Sequence, residues 1–376
     1  MAIEMSNYQI YPEGILRFSM KTNISRFPIY LLRLFRRIFL RKVQLPLKIE
    51  LLLLPSHKEL ISKIDVNHDI KFPTVDILIP FHPKDITLLI HCIRNVVLNS
   101  LNPVGTVRVV TTSQGVKLAH KELKILESEL HSRRIKIEVI DEKLFLPPEV
   151  LETCYSLGEG SGWLIQQSIK LWNAVKNQDV PTVVLDSDTI IIQSILWIDN
   201  DEKSLVFANF HENNVADFFN QIFPNIVRTE NDFGYISHFV LMKPQIVLKL
   251  LLQIEESVRY QSYSPRQSKE VNSVENRLAN VLSMLLHECL FNLSEYEIYA
   301  KAALRFDPEK TLVSKWSNLT LDMKGKVDNL TLEDLLIKFK PSFLSLSIHT
   351  FSLSFSGSLR TKEILQGRTS PKPTIK

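Results

Sequence analysis

The chain has 376 residues, 45% apolar and 23% charged, which is long enough to bury a large core and too apolar for global disorder. Ten glycines disfavour glycine-loop architectures and many-turn β-sandwiches, and three scattered cysteines (Cys92, Cys154, Cys289) without a CxxC pair exclude zinc ribbons and thioredoxin-type sites, fitting buried thiols in a reducing compartment. The formal charge of +4 is local: residues 1–45 hold eight Lys and Arg against two Glu, so the body is slightly acidic and is not expected to bind nucleic acid.

No stretch reaches the ~18 uninterrupted apolar residues that a bilayer span requires. Arginines spread through the apolar run from Phe27 to Val43 also argue against a signal peptide. On a helical wheel, Arg26, Arg33, Arg36, Arg37 and Arg41 fall within an arc of about 140°. Leu31, Leu34, Phe35, Ile38 and Phe39 lie opposite, and Pro28 suits the first turn. Residues 1–60 therefore read as a basic amphipathic arm. Its segment 26–43 either lies on an anionic membrane surface, leaving the body cytoplasmic and peripheral on the inner face, or packs its apolar side on the body.

From residue 72 strands and helices alternate. Val75–Pro80 is a short apolar run closed by proline, as in a buried parallel strand. Lys84–Asn99 has helical spacing, Val107–Thr111 reads as a second strand, Lys117–Ser132 as a helix and Ile135–Ile140 as a third strand. Gly162–Lys176 is helical, and Pro181–Ile192 is a β-branched strand broken by Asp186-Ser187-Asp188. Strands are expected at Ser204–Phe210 and Tyr235–Met242. Helices are expected at Gln245–Val258, Val274–Phe291 and Glu295–Leu304, with a flexible polar loop over 261–273. The pattern implies an α/β fold: a doubly wound, mostly parallel sheet with helices on both faces. Residues 306–355 read as a C-terminal extension, and the Ser, Thr, Lys and Pro-rich stretch 356–376 as a disordered tail.

Ligands in such sheets bind beyond the carboxyl ends of strands, where Pro80 and Asp186 fall. Two carboxylates one residue apart at a strand end can clamp Mg²⁺ or Mn²⁺, hard cations that prefer oxygen. A bare DxD is a weak signal, and Asp199-Asn200-Asp201 is a control within the same chain: its polar surroundings read as a solvated turn. Asp186 and Asp188 differ in their apolar flanks, where unpaired charge is costly. The segment also resembles the first motif of haloacid-dehalogenase-type phosphatases, with Asp186 as nucleophile. Against that stand Ile190 where a Thr or Val is expected and the want of a downstream acidic pair.

Several segments in order resemble a bacterial family of glycosyltransferase-like proteins with the GT-A, nucleotide-diphospho-sugar transferase fold. They are Val75–Pro80 with Lys84-Asp85, Gly162–Gln167 with Lys170, Leu185–Thr189, Ile236–Leu241 and Ser294–Tyr299. The resemblance spans about residues 72–305 and implies a metal-dependent transfer of a sugar from a nucleotide-diphosphate donor to a polysaccharide or lipid-linked glycan. It implies donor contacts at Pro80, His82, Asp85, Gln166, Gln167, Lys170 and Asp186, and metal ligands at Asp186 and Asp188. His238 is implied as a further ligand or acceptor contact. Glu295, and after it Glu297, is the candidate general base if the reaction inverts. Structural readings compete with several of these roles: Ser294–Glu297 matches a capping box, which explains Glu297 structurally and leaves Glu295 freer to act in the cleft. Asp85 equally suits a helix N-terminus, Lys170 a solvated helix face and His238 a hydrogen-bonded core position. A non-catalytic sugar-nucleotide binding module is the remaining alternative.

Overall fold

A computed structural model of the chain describes residues 47–62, 71–158, 160–209, 233–261, 273–289, 293–322 and 332–349. The basic segment 26–43, the polar stretch 262–272 and the tail 356–376 lie outside the described residues. Two short helices, α1 (Leu47–Leu53) and α2 (His57–Ile61), lead into β1 (Val75–Pro80). There follow α3 (Ile86–Asn99), β2 (Val104–Thr111), α4 (Ser113–Glu129) and β3 (Lys136–Asp141), then α5 (Glu142–Phe145), α6 (Pro148–Ser156) and α7 (Ser161–Lys176). The second half contains β4 (Thr182–Leu185), β5 (Thr189–Ile191), β6 (Ser204–Ala208), β7 (Phe239–Met242), α8 (Pro244–Gln261), α9 (Val274–Cys289) and α10 (Glu295–Phe306). It closes with β8 (Thr311–Lys315), β9 (Asn318–Asp322), α11 (Leu332–Phe339) and β10 (Ser345–His349).

The main sheet has the order β3-β2-β1-β4-β7, parallel except for β7, which runs antiparallel to β4 with Leu185 opposite Phe239. Every residue of β1 and β4 is buried, because both faces of these strands are covered. Val75, Ile77 and Ile79 pack with α3 and α4 residues such as Leu89, Ile93 and Leu123; Leu78 and Val184 pack on the other side with Trp172 of α7 and with α8 to α10. The fold is thus α/β with a mixed, mostly parallel sheet.

Several boundaries differ from the sequence expectation, three of them for a clear local reason. The run 181–192 is not one interrupted strand. β4 ends at Leu185, and β5 joins a second sheet, antiparallel to β10, which in turn is parallel to β9. Asp186-Ser187-Asp188 makes the crossing, closed by Thr189 N–H donating to the Asp186 carbonyl at 3.1 Å, and carries the carboxylates out of the core. β7 begins at Phe239, four residues later than expected, because Gly234 and Tyr235 give their N–H groups to Asn209 and Glu297. α4 starts earlier than its apolar spacing suggests because Thr112 caps it, accepting from Gly115 N–H at 3.3 Å. Within the stretch 306–355, β8 pairs parallel with β6, and β10 joins β5 in the sheet beside the strand end. Among the described residues, no helix is long and apolar enough to cross a membrane.

Buried Asn102 ties the segment after β5 to the sheet. Its amide donates to the carbonyls of Pro73 (3.0 Å) and Ile198 (2.8 Å), and its oxygen accepts from Trp197 N–H at 2.8 Å. Asn102→Ala orphans that N–H and both carbonyls, and is expected to cost about 2–4 kcal/mol in urea denaturation. A loss within experimental error would show that the segment is held by packing alone.

Candidate functional site

A cavity of about 770 Å³ opens at the carboxyl ends of the parallel strands. Its lining includes His82 and Asp85 after β1, Thr112 after β2, Glu142 after β3, Asp186 and Asp188 after β4, Tyr155 of α6, Trp163 and Lys170 of α7, His238 before β7, Glu295 and Tyr296 of α10, and His349 of β10. The structure therefore brings Pro80, His82, Asp85, Gln166, Gln167, Lys170, Asp186, Asp188, His238 and Glu295 to one cavity lining.

Lys170 sits at the centre. α7 opens at Gly160, whose φ of 89° suits a glycine better than any other residue. Ten residues further on, Lys170 is 2% exposed. Its ammonium donates to Asp186 Oδ1 at 2.6 Å, to Glu295 Oε1 at 2.6 Å, and lies 3.2 Å from the Tyr296 hydroxyl. Burial alone would drive the proton off, but Asp186 and then Glu295 reverse that and raise its pKa above the ordinary lysine range. Lys170 is a permanent buried cation, not the solvated helix lysine that i, i+4 spacing equally allows.

Asp186 is the matching anion. Oδ1 accepts from Lys170 and from the Tyr296 hydroxyl (2.9 Å), and Oδ2 lies 3.2 Å from Nδ1 of His238. Burial opposes its charge, yet Lys170 and His238 hold its carboxyl well below the usual range. Asp188 faces the opposite situation. Burial first, then the Asp186 charge, push its carboxyl up to about 7, and Asp85 adds to the rise. Asp85 ends a 3-10 turn (Pro83–Asp85) at the head of α3 and makes no side-chain capping bond to that helix. His82 accepts from Lys84 N–H at 3.3 Å through Nδ1.

Two of the expected roles meet geometry that points elsewhere. Glu295 does not stand free in the cleft: it is 1% exposed, bound to Lys170, and covered by the Gln167 amide, oriented with its NH2 towards the carboxylate. Burial raises its carboxyl despite the neighbouring ammonium. Glu297 is 2% exposed and outside the cavity lining. Ser294 does its half of the capping box, accepting from Glu297 N–H, but the Glu297 carboxylate receives the Tyr235 N–H and lies 3.1 Å from Lys301. Glu297 thereby fixes the segment that carries His238. The control pair behaves as a turn: Asp199 Oδ1 accepts from the N–H groups of Asp201 (2.9 Å) and Lys203 (2.8 Å), with Glu202 at φ 61°.

Of the lining residues to which the sequence reading gave no role, four stand out. His349 ends β10, its ring 5.4 Å from that of His238, and belongs to a stretch outside the family resemblance. Its only sequence signal was the alternation from Leu344 to His349. Glu142, just past the end of β3, could have been found by the strand-end rule that found Asp186. Tyr155 and Trp163 are half-exposed and about one-third exposed aromatics at the cavity mouth, recognisable only once α6 and α7 are placed. Among the described residues, no three His, Cys, Asp or Glu side chains gather so as to hold a metal ion unaided.

No family model matches the chain, and no curated protein matches it. Solved structures do. The galactosyltransferase LgtC, in complex with donor and acceptor sugar analogs, superimposes with a TM-score of 0.36 at 9% identity, covering 79% of this chain and 98% of that one. The mannosyltransferase Ktr4p from S. cerevisiae gives 0.41 at 9% identity, covering 73% and 80%. The PaToxG glycosyltransferase gives 0.26 at 10% identity, covering 79% and 87%. All three are glycosyltransferases, similar to this chain in structure at low sequence identity; with TM-scores below 0.5, the fold is defined by this chain's own strand order.

The raised Asp188 carboxyl has a stability consequence. Its folded value of about 7 exceeds the unfolded ~3.9, so its contribution is full below pH ~4 and is lost as pH rises through 7. In EDTA, Asp188→Asn removes that loss. The variant should exceed wild type by roughly 1–3 kcal/mol at pH 8, with the advantage shrinking towards pH 5, as read by urea denaturation at both pH values. An equal difference at the two pH values would mean that Asp188 is not crowded by Asp85 and Asp186.

Proposed function

We propose that the protein is a glycosyltransferase of GT-A type that uses a nucleotide-diphosphate sugar, with a divalent cation at Asp186 and Asp188. The observation that carries this reading is the meeting of Lys170, Asp186 and Asp188 in one deep cleft at the strand ends. Such a cleft suits an elongated anion: its floor holds a buried cation, and its carboxylates can bind that anion only through a second one.

The donor set fits a hard cation. Asp188 turns a carboxylate to the cavity among like charges that a cation would relieve, and Asp186 Oδ2 keeps lone-pair capacity beyond His238. Asp186 and Asp188 are the residues that would hold it, together with the donor. When bound, Mn²⁺ or Mg²⁺ would neutralise charge on the leaving diphosphate. Lys170 adds a fixed positive charge that needs no reorganisation as negative charge develops. Glu295 serves as a positioning residue for Lys170, and Gln167 for Glu295. His238, a quarter exposed and 3.2 Å from Asp186, would meet an acceptor hydroxyl on this reading. Both Asp186 oxygens are engaged by protein donors, which suits a fixed anion better than the phosphatase nucleophile. A lipid-linked acceptor on an inner membrane face rests on the basic amphipathic pattern of residues 26–43.

Thermal shift with UDP and GDP, each with and without Mn²⁺, tests the reading. Wild type should be stabilised by at least one diphosphate, more strongly with Mn²⁺, and Asp188→Ala should lose the metal-dependent part. If wild type responds to neither diphosphate, or the variant keeps the full metal effect, the assignment is wrong.

A further inference from the structure

We infer that Glu142 reads the base of the donor, admitting uracil or guanine and rejecting cytosine and adenine. This rests on the donor reading above and adds the class of nucleotide. Glu142 follows Asp141 at the carboxyl end of β3 and lines the cavity, although it is only 8% exposed. Its Oε1 accepts from the Tyr155 hydroxyl at 3.2 Å. Among the described residues, no Lys, Arg or His forms an ion pair with the carboxylate, on which the charges of Asp141 and Lys143 act only at a distance and in opposite senses. A carboxyl group this deeply buried, held by one neutral donor, leaves acceptor capacity turned to the cavity. Structural explanations account poorly for it: α5 is a four-residue helix whose cap is Asp141, accepting from Lys143 N–H at 2.9 Å.

Position selects the ligand part. In the sheet order β3-β2-β1-β4, Glu142 and Asp186 stand at the ends of strands three spacings apart, about 14 Å at ~4.8 Å per spacing. A nucleoside diphosphate laid across the strand ends, with its diphosphate at Lys170 and Asp188, carries its base to β3; a sugar phosphate is too short to reach. Thr112 and His82 line the cavity between, and the half-exposed Tyr155 ring lies beside the carboxylate, where a base can stack. An acceptor-only carboxylate pairs with a ring N–H. Uracil offers N3–H, and guanine offers N1–H with its exocyclic amine. Cytosine and adenine present a bare ring nitrogen at the corresponding edge, whose lone pair repels the carboxylate.

Calorimetric titration of UDP, GDP, CDP and ADP, each with Mn²⁺, tests this on wild type, Glu142→Gln and Glu142→Asp, with unliganded melting temperatures checking that each variant folds. Wild type should bind UDP or GDP at least about tenfold more tightly than CDP and ADP. Glu142→Gln, whose amide can also donate, should lose about tenfold for the preferred nucleotide and gain for CDP or ADP. Glu142→Asp should keep the preference at lower affinity. Wild-type binding without base preference, or a preference unchanged in Glu142→Gln, overturns this inference alone. If none of the four binds wild type, the donor reading falls and this inference falls with it.

Discussion

The structure depends on one buried ammonium group. Lys170 is withdrawn from water on the inner side of α7, and its charge is tolerated only because Asp186 and Glu295 each approach to 2.6 Å. Desolvation of that size has to be matched by close, hydrogen-bonded partners, and removal of one partner would leave a charge uncompensated, at a cost of about 3–5 kcal/mol. The triad thus locks three distant parts of the chain together: α7, the turn after β4, and the start of α10. Around it Tyr296 and His238 bind the Asp186 carboxylate and Gln167 covers that of Glu295. Hydrogen bonds among protein groups thus hold these charges in place, the condition under which, on the proposed function, fixed charges would best stabilise a developing one.

The triad also explains why the two aspartates differ. Asp186 spends its charge inwards on Lys170 and keeps it; Asp188 has no such partner and feels Asp186 and Asp85 instead. Asp186 is tied into the site by Lys170, while Asp188 is crowded by like charge. Symmetric roles for the two, as a bare DxD suggests, would miss this division.

The sequence made the parallel core legible because β1 and β4 are buried on both faces and so read as largely apolar runs, while β2 is buried mainly in its second half, Val107 to Thr111. The same apolar flanks separated Asp186 from Asp199. What stayed hidden depends on long-range partners. The split of the 181–192 run rests on Ile190 and Ile192 packing with Leu319 and Leu346, more than a hundred residues away. Glu295 and Glu297 are near neighbours on α10 with equal helical credentials; only tertiary packing sends one to Lys170 and the other to Tyr235. His349 enters the cavity because β10 pairs with β5, a register that no local pattern announces.

The central claim is that the Lys170 charge serves the donor and is not merely a structural tie. The most direct measurement pairs stability with binding of UDP or GDP plus Mn²⁺ in the double variant Lys170→Met with Glu295→Gln. Removing a cation and an anion together spares the fold, so stability should stay within about 2 kcal/mol of wild type, well short of the loss for Lys170→Met alone. Nucleotide affinity should nevertheless fall at least about tenfold, the loss of one charge-assisted contact to phosphate. A folded double variant that binds the nucleotide as tightly as wild type would contradict the account.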